Sequence, residues 1–391
     1  MQTGSGRVLF CLCASVGVSM IGLGIIWPLI PVYAVQMGAG GFMVGLIIAS
    51  FNIARTVFSP FTGRFSDRMG RKNFIVAGLL AYAAISLLYV LPAQAPFLIF
   101  VRFIHGMASL FVVPIAMALA ADIAPENDLG KYMGTLNMAV MMGLGIGPIL
   151  GGSIREYLGM DAAFFTMGAI ALLTAILVMM FIPPDHTRHR FKGNQTLFSF
   201  GKIMRHRTVL GIFFMRFFAA SGQGAVYTFL PVLALQLNLS GSQVGIILGS
   251  NIFLIAFLQR FCGRLSDRVN PKHLVIFGTC VTGIAVMGMP FVSGFTMILA
   301  LNILMGTANG ISLPGGLVIT GQMGRTMGMA SLMSITDAAW SLGMIVSPIL
   351  SGMILDLFGV AHVFVIGSLL IMIGSIVVTA FLWNYKPVRT H

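Results

Sequence analysis

The chain has 391 residues, of which 58% are apolar and only 8% carry a charge. A soluble domain carries about 25% charged residues, so a soluble enzyme, a nucleic-acid-binding domain and a disordered chain are excluded together. A polytopic membrane protein remains, and the net charge of +13 has to be read by where it falls rather than by its sum.

Apolar runs separated by Gly, Pro or charged breaks predict twelve helical spans, over 8–34, 42–62, 74–92, 97–120, 133–154, 162–182, 208–235, 242–262, 274–292, 295–320, 329–354 and 362–383. A span needs roughly 20 residues to cross the hydrocarbon, so twelve fit with short loops. The first run is too long for the apolar core of a signal peptide and has no convincing cleavage site, so it is expected to stay as a helix. With the N-terminus inside, Arg7, Arg64, Arg68, Arg71, Lys72, Lys131, Arg264, Arg268, Lys272 and Arg325 fall on the inner side, while Arg155 alone falls outside. The positive-inside rule then puts both termini in the cytoplasm. Topology accounts for the basic balance, and no nucleic-acid partner is expected.

Cys11, Cys13, Cys262 and Cys280 lie in or beside apolar runs without metal-type spacing and read as small buried residues. The longest polar break carries His186 and His189 beside Asp185. It reads as a solvated basic linker near lipid head groups, not as a metal site. Neither a metal nor a cofactor is expected. The expected organisation is a six-helix bundle over 1–182, a cytoplasmic linker over 183–207 and a second six-helix bundle over 208–391.

A repeat at a constant offset of 200 residues supports two bundles. GRFSDR at Gly63–Arg68 faces GRLSDR at Gly263–Arg268, and GPILGG at Gly147–Gly152 faces SPILSG at Ser347–Gly352. Gly22, Gly24, Pro31, Gly45, Gly106 and Pro114 each face the same residue type 200 positions on. Parallel duplicated halves are one established transporter plan, with the cargo site near the membrane midplane.

Between the second and third spans runs Gly63-Arg-Phe-Ser-Asp67-Arg68-Met-Gly70-Arg71-Lys72. It reads as a tight loop with one carboxylate among four cations, turned by Gly63 and Gly70. Asp67 can sit over a helix N-terminus, and Arg68 and Arg71 can pair with carboxylates or carbonyls of the other half. The second copy keeps Asp267 and Arg268 but has Asn270-Pro271 where the first has Gly-Arg. This segment resembles the signature loop of the major facilitator superfamily, and with the spans, the linker and the repeat the resemblance covers essentially the whole chain. It implies an all-helical fold of two pseudo-symmetric six-helix bundles. It also implies an inner gating latch of Gly63, Asp67, Arg68, Gly70, Arg71, Asp267 and Arg268, with Asp67 engaging the start of the eleventh span near Gly328.

The fifth span carries Gly134, Gly143, Gly147, Pro148, Gly151 and Gly152. Small residues at such spacing let helices approach to backbone contact, and Pro148 removes one helix hydrogen bond. The full spacing looks like the antiporter signature of the proton-coupled drug exporters within that superfamily. In the fourth span, Arg102 and His105-Gly106 resemble a family motif implicated in proton relay or cargo contact, with His105 at a position usually held by Gln. An arginine within a span costs roughly 2.5–3.5 kcal/mol on insertion scales, so Arg102 should face protein or a watery cavity.

Asp337 is the one acidic residue expected well inside a span, about eight residues or roughly 12 Å from the inner end. Arg55 and Arg216 lie at similar depth, and a pair between Asp337 and one of them would tie proton binding to a change of conformer. The first span lacks a carboxylate but has Trp27, Pro28, Pro31 and Tyr33. A cavity lined by Trp27, Tyr33, Arg55, Arg216, Gln223, Tyr227 and Trp340 would be net positive and would favour a neutral or anionic amphiphile over a dication.

The expectation is a monomeric secondary transporter in a prokaryotic inner membrane, exchanging protons for a small exported compound and contacting lipid. Uptake of an organic anion or sugar with a proton, and lipid or lysolipid translocation, remain open beside it. No enzyme motif is present. GLGIG at Gly143–Gly147 has no preceding strand and is no dinucleotide site.

Overall fold

The computed structural model describes residues 2–91, 94–125, 128–182 and 206–383, and of residues 2–5, 63–69, 260, 264, 267–268, 325–326 and 329–331 it describes the backbone alone. All regular elements among the described residues are helices. In chain order these are α1 (Gln2–Ile26), α2 (Leu29–Gln36), α3 (Gly41–Met69), α4 (Arg71–Leu88), α5 (Phe97–Ser109), α6 (Val113–Ile123), α7 (Leu129–Leu158) and α8 (Met160–Phe181). Then follow α9 (Arg207–Gln236), α10 (Gly241–Arg268), α11 (Pro271–Gly288), a 3-10 turn (Met289–Phe291), α12 (Phe295–Met327), α13 (Met329–Phe358) and α14 (Val360–Leu382).

Among the described residues 12 stretches, from Gly6–Gln36 to Val360–Leu382, are long and apolar enough to cross a membrane. The first is two helices. Pro28 has no N–H to continue the α1 ladder, and the chain restarts at Leu29. The fourth divides likewise, with Pro114 in the first turn of α6. Side chains follow the rules of a hydrocarbon solvent. Leu173, Ile176 and Met180 of α8 are 54%, 49% and 72% exposed, which suits a lipid-facing surface and would make a soluble protein aggregate. Thr166, Thr174, Ser221 and Thr320 each donate their hydroxyl to the carbonyl four residues back, so these four hydroxyls are satisfied within their own helices.

The described residues form two compact units: those within 2–39, 46–182 and 240–249 make unit 1, and those within 40–45, 206–239 and 250–383 make unit 2. In unit 1, α1 packs on α7 and α8, and α4 packs on α8 and α5. In unit 2, α9 packs on α13 and α14, and α11 packs on α12 and α14. The duplication is visible element by element. α4 begins at Arg71 and α11 at Pro271, and α7 spans Leu129–Leu158 where α13 spans Met329–Phe358. Left-handed positions repeat as well: Gly159 and Gly359 have φ of 93° and 86°. Asn238, with φ of 53°, stands where the first copy has Gly38 at 80°, and Asn is among the few residue types that tolerate this conformation.

One expectation is corrected. Residues 63–72 are not a loop: α3 stays helical to Met69, and only Gly70 leaves the helix, at φ 89°. Gly63 therefore turns nothing, and around Gly263 there is open space. Residues 64–69 are all acceptable helix formers, and one glycine suffices to redirect the chain into α4.

Candidate functional site

The signature glycines of α7 divide into two kinds. A Cβ on Gly143 would collide with the Gly17 carbonyl, and one on Gly147 would lie 2.5 Å from the Gly24 Cα. One on Gly151 would lie 2.5 Å from the Ile25 carbonyl oxygen. These three hold α7 in backbone contact with α1 inside unit 1. Gly152 meets the Gly241 carbonyl, in the first turn of α10 that belongs to the same unit. Gly134, by contrast, has nothing within 4 Å and makes no close approach. Pro148 is buried inside α7.

Near the ends of α7 and α13 stand two carboxylates, Glu156 and Asp356. Within unit 1, the Ser242 N–H donates to Glu156 Oε2 at 2.8 Å. Within unit 2, the Gly41 and Phe42 N–H groups donate to the Asp356 carboxylate at 2.6 and 2.8 Å. The first amides of a helix have no intrahelical partner, and an anion there is favoured. The two carboxylates are 200 residues apart and so are the amides they hold. The repeat register carried this signal.

The fourth-span motif is enclosed in unit 1. Arg102 is 3% exposed and His105 is fully buried. The Arg102 guanidinium lies 4.4 Å from the Phe51 ring centroid. The His105 ring meets Phe51 and Tyr82 edge-on at 5.4 and 4.8 Å, and His105 Nδ1 is 2.9 Å from the Tyr89 hydroxyl. Gly106 makes this possible, because a Cβ there would strike the Phe51 carbonyl. Arg55 is exposed, with its guanidinium 5.8 Å from the same Phe51 ring. Tyr33 packs edge-on against Phe164 at 5.2 Å, and Trp27 is half-buried.

In unit 2, half-buried Arg216 lies 4.7 Å over the ring of Trp340 and feels the charge of Asp337, whose side chain is exposed. Asp337 and Trp340 are three residues apart on one face of α13. Gln223 is half-buried. Tyr227 is buried, and its hydroxyl donates to Asn251 Oδ1 at 2.9 Å, while Asn251 Nδ2 donates to the Asn302 carbonyl at 2.8 Å. Tyr227 is thus committed to an internal network instead of standing free as a lining group.

Of the expected latch, the side chains of Gly63, Asp67, Arg68, Asp267 and Arg268 lie outside the described residues. Gly328, the expected target of Asp67, sits between α12 and α13 with φ of 90°. Arg71 is corrected: its carboxylate partner is Asp122 at the end of α6, within the same unit. The His186, His189 and Asp185 cluster also lies outside the described residues.

A duplicated set of membrane-crossing helices, joined by glycine contacts and enclosing arginines among aromatic rings, defines a membrane transporter. Residues 12–235 and 212–391 match the Major Facilitator Superfamily, and the chain belongs to that family. It is an integral membrane protein. It is 29% identical to an uncharacterised transporter of this superfamily from Methanocaldococcus jannaschii, over 92% of this chain and 94% of that protein. It is 26% identical to multidrug resistance protein 2 of Bacillus subtilis, over 94% and 93%. Among solved structures, a bacterial homologue of the human lysosomal transporter Spinster superposes with a TM-score of 0.85, over 98% and 97% at 14% identity, which speaks to the fold alone.

Proposed function

We propose that the protein is a proton-coupled exporter of a small neutral or anionic amphiphile, working by alternating access in a prokaryotic plasma membrane with both termini in the cytoplasm. The observation that carries the reading is the Asp337–Arg216 couple beside Trp340. Asp337 lies eight residues inside α13, deeper than any other described carboxylate in a span. It is exposed enough to meet a proton and close enough to an arginine for its charge to matter. In this reading a proton on Asp337 releases Arg216 and shifts the conformer. Arg102 and His105 take part in the relay. Trp27, Tyr33, Arg55, Gln223 and Trp340 face the cargo.

The residues Gly63, Asp67, Arg68, Gly70, Asp267 and Arg268 act as the inner latch in this proposal, and Arg71 supports it by anchoring α4 to Asp122 of α6. Residues 1–182 and 208–391 are the two moving bundles, joined by 183–207, and one copy of the chain suffices. Multidrug resistance relatives and the α7 glycine contacts support export. Uptake of an organic anion with a proton is the second reading, favoured by Arg102, which no carboxylate pairs among the described residues.

The test is Asp337→Asn in proteoliposomes. The variant is expected to exchange cargo down its own gradient while losing transport driven by a pH gradient. Retained pH-driven transport would remove Asp337 from the coupling role.

A further inference from the structure

Among the described residues of unit 1, the buried polar atoms without a hydrogen-bond partner include a cluster of three: Arg102 Nε, His105 Nε2 and the Tyr82 hydroxyl. Their side chains are 3%, 0% and 1% exposed. They are neighbours. Arg102 and His105 are three residues apart on one face of α5, Phe51 touches both, and the Tyr82 ring abuts His105.

The proton positions follow from the partners. An arginine N–H can only donate. The Tyr89 oxygen meets the Arg102 guanidinium on one side and His105 Nδ1 on the other. The Tyr89 O–H satisfies itself by donating to Nδ1, which leaves the imidazole proton on Nε2. The three unpartnered groups are then two obligate donors, Arg102 Nε–H and His105 Nε2–H, and one hydroxyl that is able to donate. Buried donors without acceptors are rare, because each has lost its water without gaining a partner. Among the described residues no carboxylate stands beside the Arg102 charge, which adds to the cost of burial. What this arrangement lacks is one acceptor that also carries negative charge.

The duplicated site in unit 2 makes the contrast. Offset by 200, Arg102 becomes Asn302, Phe51 becomes Asn251 and Tyr82 becomes Thr282. There the charge is gone: Tyr227, Asn251 and the Asn302 backbone carbonyl bond to one another, and the group left without a partner is the neutral Asn302 side-chain amide, which has an acceptor of its own.

We propose that Arg102, His105 and Tyr82 form a binding site for a small monovalent anion, either a free halide or the carboxylate head of an organic compound. The site is enclosed, with Tyr89 fixing the imidazole and Phe51 flooring the guanidinium. It goes beyond the transport reading and does not need it, because binding requires no gradient.

The test uses the purified full-length protein in detergent. Its melting temperature is followed by tryptophan fluorescence as chloride, acetate or octanoate replaces sulfate at constant ionic strength. Wild type is expected to show a saturable rise with at least one monovalent anion. Tyr82→Phe, which keeps the ring packing, should weaken the apparent affinity about 10-fold, the loss expected for one hydrogen bond to a charged group. Arg102→Gln should abolish the rise. Saturation by chloride alone assigns a free halide, and saturation by acetate or octanoate assigns a carboxylate head. No saturable rise in wild type, or an equal rise in wild type and Tyr82→Phe, would overturn the site. If Arg102→Gln fails to fold, Tyr82→Phe still decides.

Discussion

Gly147→Ala should be among the most damaging single-methyl changes in the protein. The added Cβ would lie 2.5 Å from the Gly24 Cα, 2.6 Å from its carbonyl carbon and 2.8 Å from the Ile21 carbonyl oxygen. All three obstacles are backbone, so no rotamer change relieves them. α1 and α7 would have to part by most of an ångström. A gap of that size forfeits about a quarter to a half of each van der Waals contact along the seam. With the overpacking cost the destabilisation comes to about 3 kcal/mol, or a fall of roughly 4 °C in melting temperature for a chain of this size. Gly134→Ala is the internal control, since nothing lies within 4 Å of it. There the alanine gains about 0.5–1 kcal/mol of helix propensity. Tryptophan-fluorescence melts of both variants in one detergent make the comparison. Equal melting temperatures would refute the claim that the signature glycines are close-contact positions.

Asp356→Ala should free the Gly41 and Phe42 amides, which it accepts at 2.6 and 2.8 Å. A lost cap costs about 1–2 kcal/mol, so hydrogen exchange at the start of α3 should quicken about 10-fold, and Glu156→Ala should do the same for Ser242. Tyr227→Phe leaves the buried Asn251 oxygen without its donor and should destabilise by about 1–3 kcal/mol, read as a lower melting temperature. Arg71 and Asp122 are 11% and 23% exposed. A double-mutant cycle on this pair should give a coupling of about 1–2 kcal/mol, between the values for exposed and buried pairs.

Much of the architecture was legible because hydrocarbon leaves few choices. Apolar runs of span length must be helices, and the 200-residue register marks the duplication that α7 and α13 display. Where the sequence was silent, the missing information was about faces and partners. Spacing groups Gly134 with Gly147, but only packing decides that one meets α1 and the other meets nothing. A charged run between two spans reads as a loop, although nothing in residues 64–69 prevents a helix. The enclosure of Arg102 and His105 depends on Tyr82 and Tyr89, which follow no motif and are brought in by α4 packing against α5. Arg71 has several acidic residues within plausible reach in the sequence, and only the fold selects Asp122. The Glu156 and Asp356 caps were recoverable from the repeat, yet acids near span ends ordinarily read as solvated.

The most direct measurement is proton movement evoked by cargo. Proteoliposomes carrying an entrapped pH-sensitive dye, with a pH difference imposed across the membrane, are given amphiphilic compounds that stabilise the purified protein. A compound that is exported in exchange for protons should collapse the pH difference in wild-type vesicles and leave it intact with Asp337→Asn. Cargo movement that proceeds in wild-type vesicles while the internal pH stays constant would contradict proton coupling.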